Sequence, residues 1–225
     1  MRARLAFLRD YRAPYRAAAR RAGRWRAAPA SWSFLGLALL VSLAWRLPAG
    51  HQAVAVCCAY RATDLSSWPR AARIVGSTFL MLRPIEAAWS VVATWLMLAP
   101  LEATIGTRRT LLVGVLGNLV PTASMSLAFL ATHPGAPAPL DVGTSAVVVA
   151  AGAALVVWTR SLGIAVLYLL GVTVDVLVSP DLATAEHLVA MAVGTAVAMA
   201  LRRFPWRASR LRHLVERAQD GARSR

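Results

Sequence analysis

Two side chains in this sequence have the chemical types and the placement that nucleophilic catalysis requires. Ser145 follows a Gly-Thr pair and stands just before the apolar run 147–158, and His187 is the only histidine inside an apolar run. A serine hydroxyl becomes a nucleophile when a neighbouring base removes its proton, and neutral histidine is such a base at cellular pH. The two residues therefore suggest a serine-histidine dyad, provided that their segments lie side by side.

Both candidates are predicted to lie at similar depth in helices. Asp141 and Asp181 are suitable N-caps for the two apolar runs. At 1.5 Å per residue, Ser145 would lie about 6 Å and His187 about 9 Å below these caps. Because N–H groups in a first helical turn have no intrahelical acceptor, those around Ser145, including that of Gly143, are candidates for stabilising an oxyanion.

Small residues favour contact between the two helices. Gly152 lies on the helical face of Ser145, and close approach of two backbones requires such small side chains. The face of the predicted base carries a ridge of the same kind, formed by His187, Ala190, Gly194 and Ala198.

Each candidate also has a purely structural explanation. A serine in a Gly-Thr-Ser string commonly caps a helix, and a histidine inside the membrane commonly bonds to a neighbouring helix. Two acids, Asp175 and Glu186, are near enough in sequence to orient His187. Glu186 is expected to point elsewhere because it directly precedes the histidine, and Asp175 is equally explained as an interfacial residue.

The composition predicts an integral membrane protein. Of the 225 residues, 58% are apolar, and several apolar runs approach the twenty residues that cross a bilayer. We predict an all-α polytopic membrane protein, a six-transmembrane-helix bundle in residues 31–201, flanked by basic tails at 1–30 and 202–225. The six predicted spans are 33–47, 74–101, 110–132, 141–160, 162–178 and 182–201.

The positive charge lies at the two ends of the chain. The net charge is +15. Residues 1–26 contain nine Arg and one Asp, and residues 202–225 contain eight Arg and two acidic residues. Arginine clusters beside membrane helices favour the cytoplasmic side and attract anionic lipid head groups, so nucleic acid is not an expected partner. We therefore predict a multi-pass protein of the plasma membrane with both termini in the cytoplasm.

Three further positions are predicted to support the fold. Glu102 is expected to accept a salt bridge from a nearby arginine such as Arg109, while Gly106 supplies the turn between two spans. Asn118 is expected to form a hydrogen bond across helices. The adjacent cysteines at 57 and 58 fit no zinc or iron-sulfur spacing, and the sequence predicts neither a metal nor another cofactor.

The order of these motifs resembles the rhomboid family of intramembrane serine proteases over roughly residues 33–201. Shorter segments resemble a bacterial rhomboid-like subgroup, namely Thr63-Asp64-Leu65, Gly117-Asn118, Asp141-Val-Gly-Thr-Ser145 and Glu186-His187-Leu188. The motifs that carry the family resemblance are Glu102-x-x-x-Gly106 with Arg109, Gly143-Thr-Ser145-Ala146, and His187-x-x-Ala190-x-x-x-Gly194.

The resemblance implies a cofactor-free protease that cleaves transmembrane or juxtamembrane segments of other membrane proteins from the outer side. Ser145 would be the nucleophile and His187 the general base, with Gly143 and Asn118 as weaker candidates for oxyanion support.

The sequence departs from the family pattern at three positions. Ala146 stands where the serine motif usually has glycine, and Glu86 and Ser90 occupy the positions of a His-x-x-x-Asn pair that helps to hold the oxyanion. An ionised carboxylate would oppose an oxyanion, and loss of one good donor costs roughly 10²–10³ in rate. A non-catalytic rhomboid-like protein that binds membrane clients is therefore the alternative. A transporter using Asn118, Asp175 and Glu86 is a third hypothesis, although the sequence has no evident inverted repeat.

Overall fold

The computed structural model describes residues 16, 18–22, 25–141, 143–178 and 182–203, and every statement below concerns these residues. The predicted cap Asp181 and most of both predicted tails lie outside them. So do the side chains of Asp141 and Asp175.

The described chain is mainly helical, which confirms the all-α prediction. Two-residue strands β1 and β2 pair antiparallel, with Tyr60 opposite Asp141. Helix α5 includes a π-helical turn at Thr94–Leu98. In chain order the elements are α1 Pro29–Arg46, α2 Pro48–Cys58, β1 Tyr60–Arg61, α3 Trp68–Ala71, α4 Arg73–Ser77, α5 Pro84–Ile105, α6 Thr107–Thr132, β2 Leu140–Asp141, α7 Ser145–Thr159, α8 Leu162–Val178 and α9 Leu182–Arg203, with 3-10 turns at Trp25–Ala27 and Ala62–Ser66.

Three helices are long and apolar enough to cross a membrane. They are α5, α6 and the Thr184–Arg203 part of α9, with mean hydropathies of 1.4, 1.6 and 1.5. Helix α7 and the Gly163–Thr173 part of α8 are apolar but shorter. The hydropathy of α1 is lowered by its serines and its terminal arginine. The protein is thus a helical membrane protein by these criteria, whereas the predicted count of six spans is not reached, because a crossing needs about twenty apolar residues.

The second predicted span begins later than expected. Ile74 belongs to the short helix α4, and α5 starts only at Pro84, after Arg83 in an extended conformation. Proline is suited to a first helical position, and the Glu86 carboxylate accepts hydrogen bonds from the N–H groups of Leu82 and Arg83 at 2.9 and 3.1 Å. The predicted start at residue 74 is therefore wrong, and the span begins where Arg83, Pro84 and Glu86 interrupt the apolar sequence.

Helices α6, α7 and α9 pack against one another, and the three helices meet at Ala150. A Cβ atom added at Gly194 of α9 would lie 2.2 Å from the Ala150 carbonyl oxygen, and one added at Gly117 of α6 would lie 2.2 Å from the Ala150 Cβ. Only glycine permits such distances between backbones. Gly117, Ala150 and Gly194 therefore form the crossing point of the bundle. The prediction that Gly152 meets α9 is wrong, because a Cβ added there would lie 2.7 Å from the Tyr168 ring of α8.

Helices α7 and α9 run in the same direction. Arg160, in the left-handed conformation (φ 52°), turns the chain from α7 into α8. Near the ends of both helices, Arg202 donates a hydrogen bond to the Val157 carbonyl oxygen at 2.8 Å. Since the crossing at Ala150 and Gly194 lies seven or eight residues earlier in each helix, the two axes remain side by side.

The segment between α1 and α5 docks on α6 through hydrogen bonds. The Tyr60 hydroxyl donates to Ser126 at 3.0 Å, and the Asn118 side chain donates to the Ile74 carbonyl oxygen at 3.2 Å. Arg61 donates to the Ala138 carbonyl oxygen at 2.6 Å. These bonds fix the segment next to the chain that leads into α7.

Candidate active site

Ser145 is the first residue of α7, directly after a glycine turn. Gly143 has φ +129°, a conformation that favours glycine, and its N–H donates to the Ser77 carbonyl oxygen at 3.0 Å. A Cβ added at Gly143 would lie 3.9 Å from the Ser145 Oγ atom, so the hydroxyl lies beside this glycine. The turn therefore positions the serine, while the Gly143 amide already has an acceptor.

The predicted start of this helix at Asp141 is wrong by four residues. Asp141 pairs with Tyr60 in the short β-ladder, and the first helical hydrogen bond runs from the Val148 N–H to the Thr144 carbonyl oxygen at 3.2 Å. Ser145 is therefore at the start of the helix, not one turn inside it. The N–H groups of residues 145–147 precede that first bond and point out of the helix start.

A pair of buried hydroxyl groups lies next to the serine. The Ser90 Oγ atom of α5 is 2.5 Å from the Thr144 Oγ1 atom, and each residue is 4% exposed. Ser90 is one of the positions at which the sequence departs from the pattern that it resembles. The structure connects it to the residue that precedes Ser145.

Glu86 is engaged at the start of α5. In addition to its two bonds from backbone N–H groups, its carboxylate lies 3.8 Å from the Arg83 guanidinium, and its side chain is 40% exposed. A carboxylate at a helix N-terminus is stabilised by the helix dipole. Its charge is thus compensated locally and partly by solvent.

His187 lies on the face of α9 that meets α7. Gly194 is seven residues further along, which corresponds to nearly the same direction on a helix, and Ala190 between them is completely buried. The preceding residue, Glu186, is buried and accepts a hydrogen bond from Thr122 of α6. The Glu186 carboxylate therefore has a partner on α6.

The crossing of α7 and α9 sets the relative height of the two candidate residues. Ser145 is five residues before Ala150, and His187 is seven residues before Gly194. At 1.5 Å per residue they lie about 7.5 and 10.5 Å above the crossing, and so within about 3 Å of the same level. Two packed parallel helices thus carry the serine and the histidine at matching depth.

Asn118 has a structural contact. It is buried, and its amide donates to the Ile74 carbonyl oxygen, which holds α4 on α6. Among the described residues no hydrogen bond joins Asn118 to Ser145. The predicted bond to another element is confirmed, although its acceptor is the backbone of a short helix.

Glu102 does not form the predicted salt bridge. Its buried carboxylate accepts hydrogen bonds from the N–H groups of Ala30 and Ser31 at 3.1 and 2.7 Å, and from the hydroxyls of Ser31 and Thr107 at 2.6 Å each. The first turn of α1 offers unpaired N–H groups and a positive dipole, which suit a buried carboxylate. Arg109 instead lies over the ring of Trp158, 5.8 Å from its centroid.

Gly106 forms the predicted turn between α5 and α6. Its φ of +84° lies in the region that favours glycine. This turn brings Thr107 within reach of Glu102, and so links the start of α6 to the start of α1.

One polar residue near the site was not singled out from the sequence. Thr94 is fully buried, and its hydroxyl has no hydrogen-bond partner in the described part of the chain. It lies one helical turn beyond Ser90, at the start of the π-helical turn of α5. Such turns are frequent at functional sites. The only sequence signal is the spacing of four between two hydroxyl residues within an apolar helix.

These elements bring three features to one end of the bundle: a hydroxyl at a helix start, a histidine within about 3 Å of its level on a packed neighbour, and hydroxyl groups on a third helix. Comparison with known proteins adds no assignment to it. No protein-family model, no curated protein and no solved structure matches the chain.

Proposed function

We propose that this chain is a rhomboid-like intramembrane serine protease with Ser145 as nucleophile and His187 as general base. The observation that carries the proposal is the crossing of α7 and α9, where a Cβ at Gly194 would lie 2.2 Å from the Ala150 carbonyl oxygen. So close a crossing holds two parallel helices at a fixed register. The serine and the histidine then share one level on adjoining helices.

In the proposed reaction, the His187 imidazole takes the proton from the Ser145 hydroxyl as its oxygen attacks a peptide carbonyl of the substrate. The carbonyl oxygen gains negative charge in the tetrahedral intermediate. The imidazolium then gives the proton to the leaving amine, which leaves an acyl-serine. Water attacks this ester, with His187 again as base, and restores the serine. Neither metal nor cofactor has a part in these steps.

Oxyanion stabilisation in this proposal comes from the start of α7. The N–H groups of residues 145–147 precede the first helical hydrogen bond, and the dipole of α7 favours negative charge at that end. The Ser90 hydroxyl is a further donor when Thr144 donates the hydrogen bond between the two hydroxyls, since either can be the donor. Gly143 contributes the turn but not its amide, because that N–H is bonded to the Ser77 carbonyl oxygen.

We further propose that α1, α5, α6, α7, α8 and α9 form a six-span bundle in the plasma membrane, with both termini in the cytoplasm. Exposed arginines at the ends of three of these helices, Arg108, Arg160 and Arg203, support this orientation under the positive-inside rule. The short helix α7 is compatible with a six-span bundle because the backbone before it is bonded to protein: Asp141 pairs with Tyr60, and the Gly143 N–H donates to Ser77.

Substrates in this proposal are transmembrane or juxtamembrane segments of other membrane proteins, cut from the outer side. The Ser145 end of α7 is opposite the end that carries Arg160, which supports access from that side. The arginine-rich tails would contact anionic lipid head groups.

The test is covalent labelling of the membrane-embedded protein by a fluorophosphonate, which reacts with activated serines. We expect the native protein to label and both Ser145→Ala and His187→Ala to lose labelling, because the first lacks the nucleophile and the second lacks the base. Ser124→Ala is the matched control, since Ser124 also belongs to an apolar helix, α6, but is exposed on its surface. It should label like the native protein.

The alternative is a non-catalytic protein that binds membrane clients. The observation that favours it is the pair Glu86 and Ser90: the first is engaged at the start of α5, the second is bonded to Thr144, and neither supplies a side-chain amide or imidazole donor. If the folded native protein labels no faster than Ser145→Ala, the protease proposal fails and client binding becomes the better explanation.

A further inference from the structure

An apolar cleft lies on the side of the bundle between α1, the Val75–Phe79 region and α6. Its volume is about 140 Å³. The residues that form its walls include Phe34, Phe79, Leu98, Leu111, Val115 and Val147. Val147 belongs to α7, so the cleft reaches inward to the central helix.

The cleft is open towards the membrane-facing surface. Val75, Leu111 and Val115 line it and are 56%, 51% and 52% exposed. Large apolar side chains with this exposure are stable in contact with lipid tails rather than with water. Hydrocarbon from the bilayer therefore has direct access to the cleft.

The polar groups around the cleft are already bonded within the protein. The Ser31 hydroxyl donates to Glu102, the Thr110 hydroxyl to the Gly106 carbonyl oxygen, and the Thr78 hydroxyl and the Asn118 amide to the Ile74 carbonyl oxygen. A water molecule or a polar ligand would find few partners here. The cleft is therefore suited to a hydrocarbon chain.

A positive charge lies at the start of α6, on the helical face that lines the cleft. Arg108 is three residues before Leu111 and seven before Val115, so the three lie on one face of the helix. Arg108 is exposed, and no carboxylate among the described residues pairs with it. An arginine at a membrane interface attracts the phosphate of an anionic lipid.

From these observations we propose that the cleft binds one acyl chain of an anionic phospholipid of the inner leaflet, whose phosphate contacts Arg108. The chain lies along Leu111 and Val115 towards Val147. This site is independent of the proposed protease activity, because it needs neither Ser145 nor His187; its placement in the inner leaflet rests on the orientation proposed above.

The test is native mass spectrometry of the detergent-solubilised full chain with added palmitoyl-oleoyl phosphatidylglycerol or phosphatidylcholine. We expect Val115→Trp to reduce bound phosphatidylglycerol at least fivefold, because the indole fills the mouth of the cleft. Val120→Trp is the matched control, since Val120 is 41% exposed on the same helix but outside the cleft, and it should bind like the native protein. Leu111→Trp, at the same mouth, serves if Val115→Trp does not fold.

A second pair of variants tests the head group. The native protein should bind phosphatidylglycerol about fivefold more tightly than phosphatidylcholine, because the attraction between one arginine and an anionic head group corresponds to a difference of that size. Arg108→Gln should remove this preference, and Arg203→Gln, an exposed arginine on α9, should keep it. Equal binding by Val115→Trp and Val120→Trp would overturn the proposal, as would equal binding of the two lipids by the native protein.

Discussion

The substitution Gly194→Ala tests the helix crossing on which the proposed site depends. The added Cβ would lie 2.2 Å from the Ala150 carbonyl oxygen, 2.7 Å from its Cα and 2.8 Å from its carbonyl carbon. Ordinary van der Waals contact begins at 3.4 Å, so α7 and α9 have to separate by more than about 1 Å. Because the atoms in the way are backbone atoms, no change of side-chain rotamer can relieve the contact.

The expected cost has two parts. Overpacking of this kind lowers the free energy of unfolding by about 1–3 kcal/mol. A displacement of about 1 Å between reacting groups lowers the rate of a well-oriented reaction about 10²-fold, so fluorophosphonate labelling of Ser145 should slow by a similar factor. The measurements are denaturant unfolding in detergent micelles and the labelling rate at a fixed probe concentration.

Gly171→Ala is the matched control for this prediction. Gly171 is also in the middle of an apolar helix, and an added Cβ there has no atom within 4 Å. Alanine is the better helix former, so stability should stay equal or rise by up to about 1 kcal/mol. If Gly194→Ala retains the native stability and the native labelling rate, the close crossing is refuted, and the dyad loses its structural support.

The remaining predictions concern the same crossing and the inner end of the bundle. Gly117→Ala should destabilise the protein by about 1–3 kcal/mol, and the double variant Gly117→Ala/Ala150→Gly should recover most of the loss, because only the Ala150 Cβ is close to the added atom. Ala150→Gly should not rescue Gly194→Ala, whose close contacts are backbone atoms, and rescue there would contradict the geometry. Glu102→Ala should lower the free energy of unfolding by about 3 kcal/mol in the same assay, because it leaves buried donors without an acceptor. The control is Glu86→Ala, which removes a partly exposed cap and should cost about 1 kcal/mol or less. Equal losses in the two variants would argue against this role of Glu102.

Sequence patterns predicted the features that depend on neighbours along the chain. The glycine turn at Gly106 and the ridge of small residues that includes Gly194 are local features of helix geometry, and both are present. A periodicity of 3.6 residues is sufficient for such predictions, because it fixes which residues share a helical face.

Two of the errors, at the start of α7 and at Glu102, share a physical cause, which is a partner distant in sequence. The start of α7 moved to Ser145 because Asp141 pairs with Tyr60, about eighty residues earlier. Glu102 was assigned an arginine partner close in sequence, yet it binds the first turn of α1 some seventy residues earlier. Partners of this kind leave no periodic signal in the chain.

The sequence by itself determined that this protein is helical, apolar enough for a membrane, and equipped with one serine and one histidine at the starts of two helices. Only the tertiary structure decided that these helices cross at Ala150 and Gly194, that Ser90 meets Thr144, and that the Gly143 amide is bonded to Ser77. The physical reason is that hydropathy and helical period act along the chain. Which helices become neighbours depends instead on where a glycine allows two backbones to approach closely, and this is determined only when the helices pack.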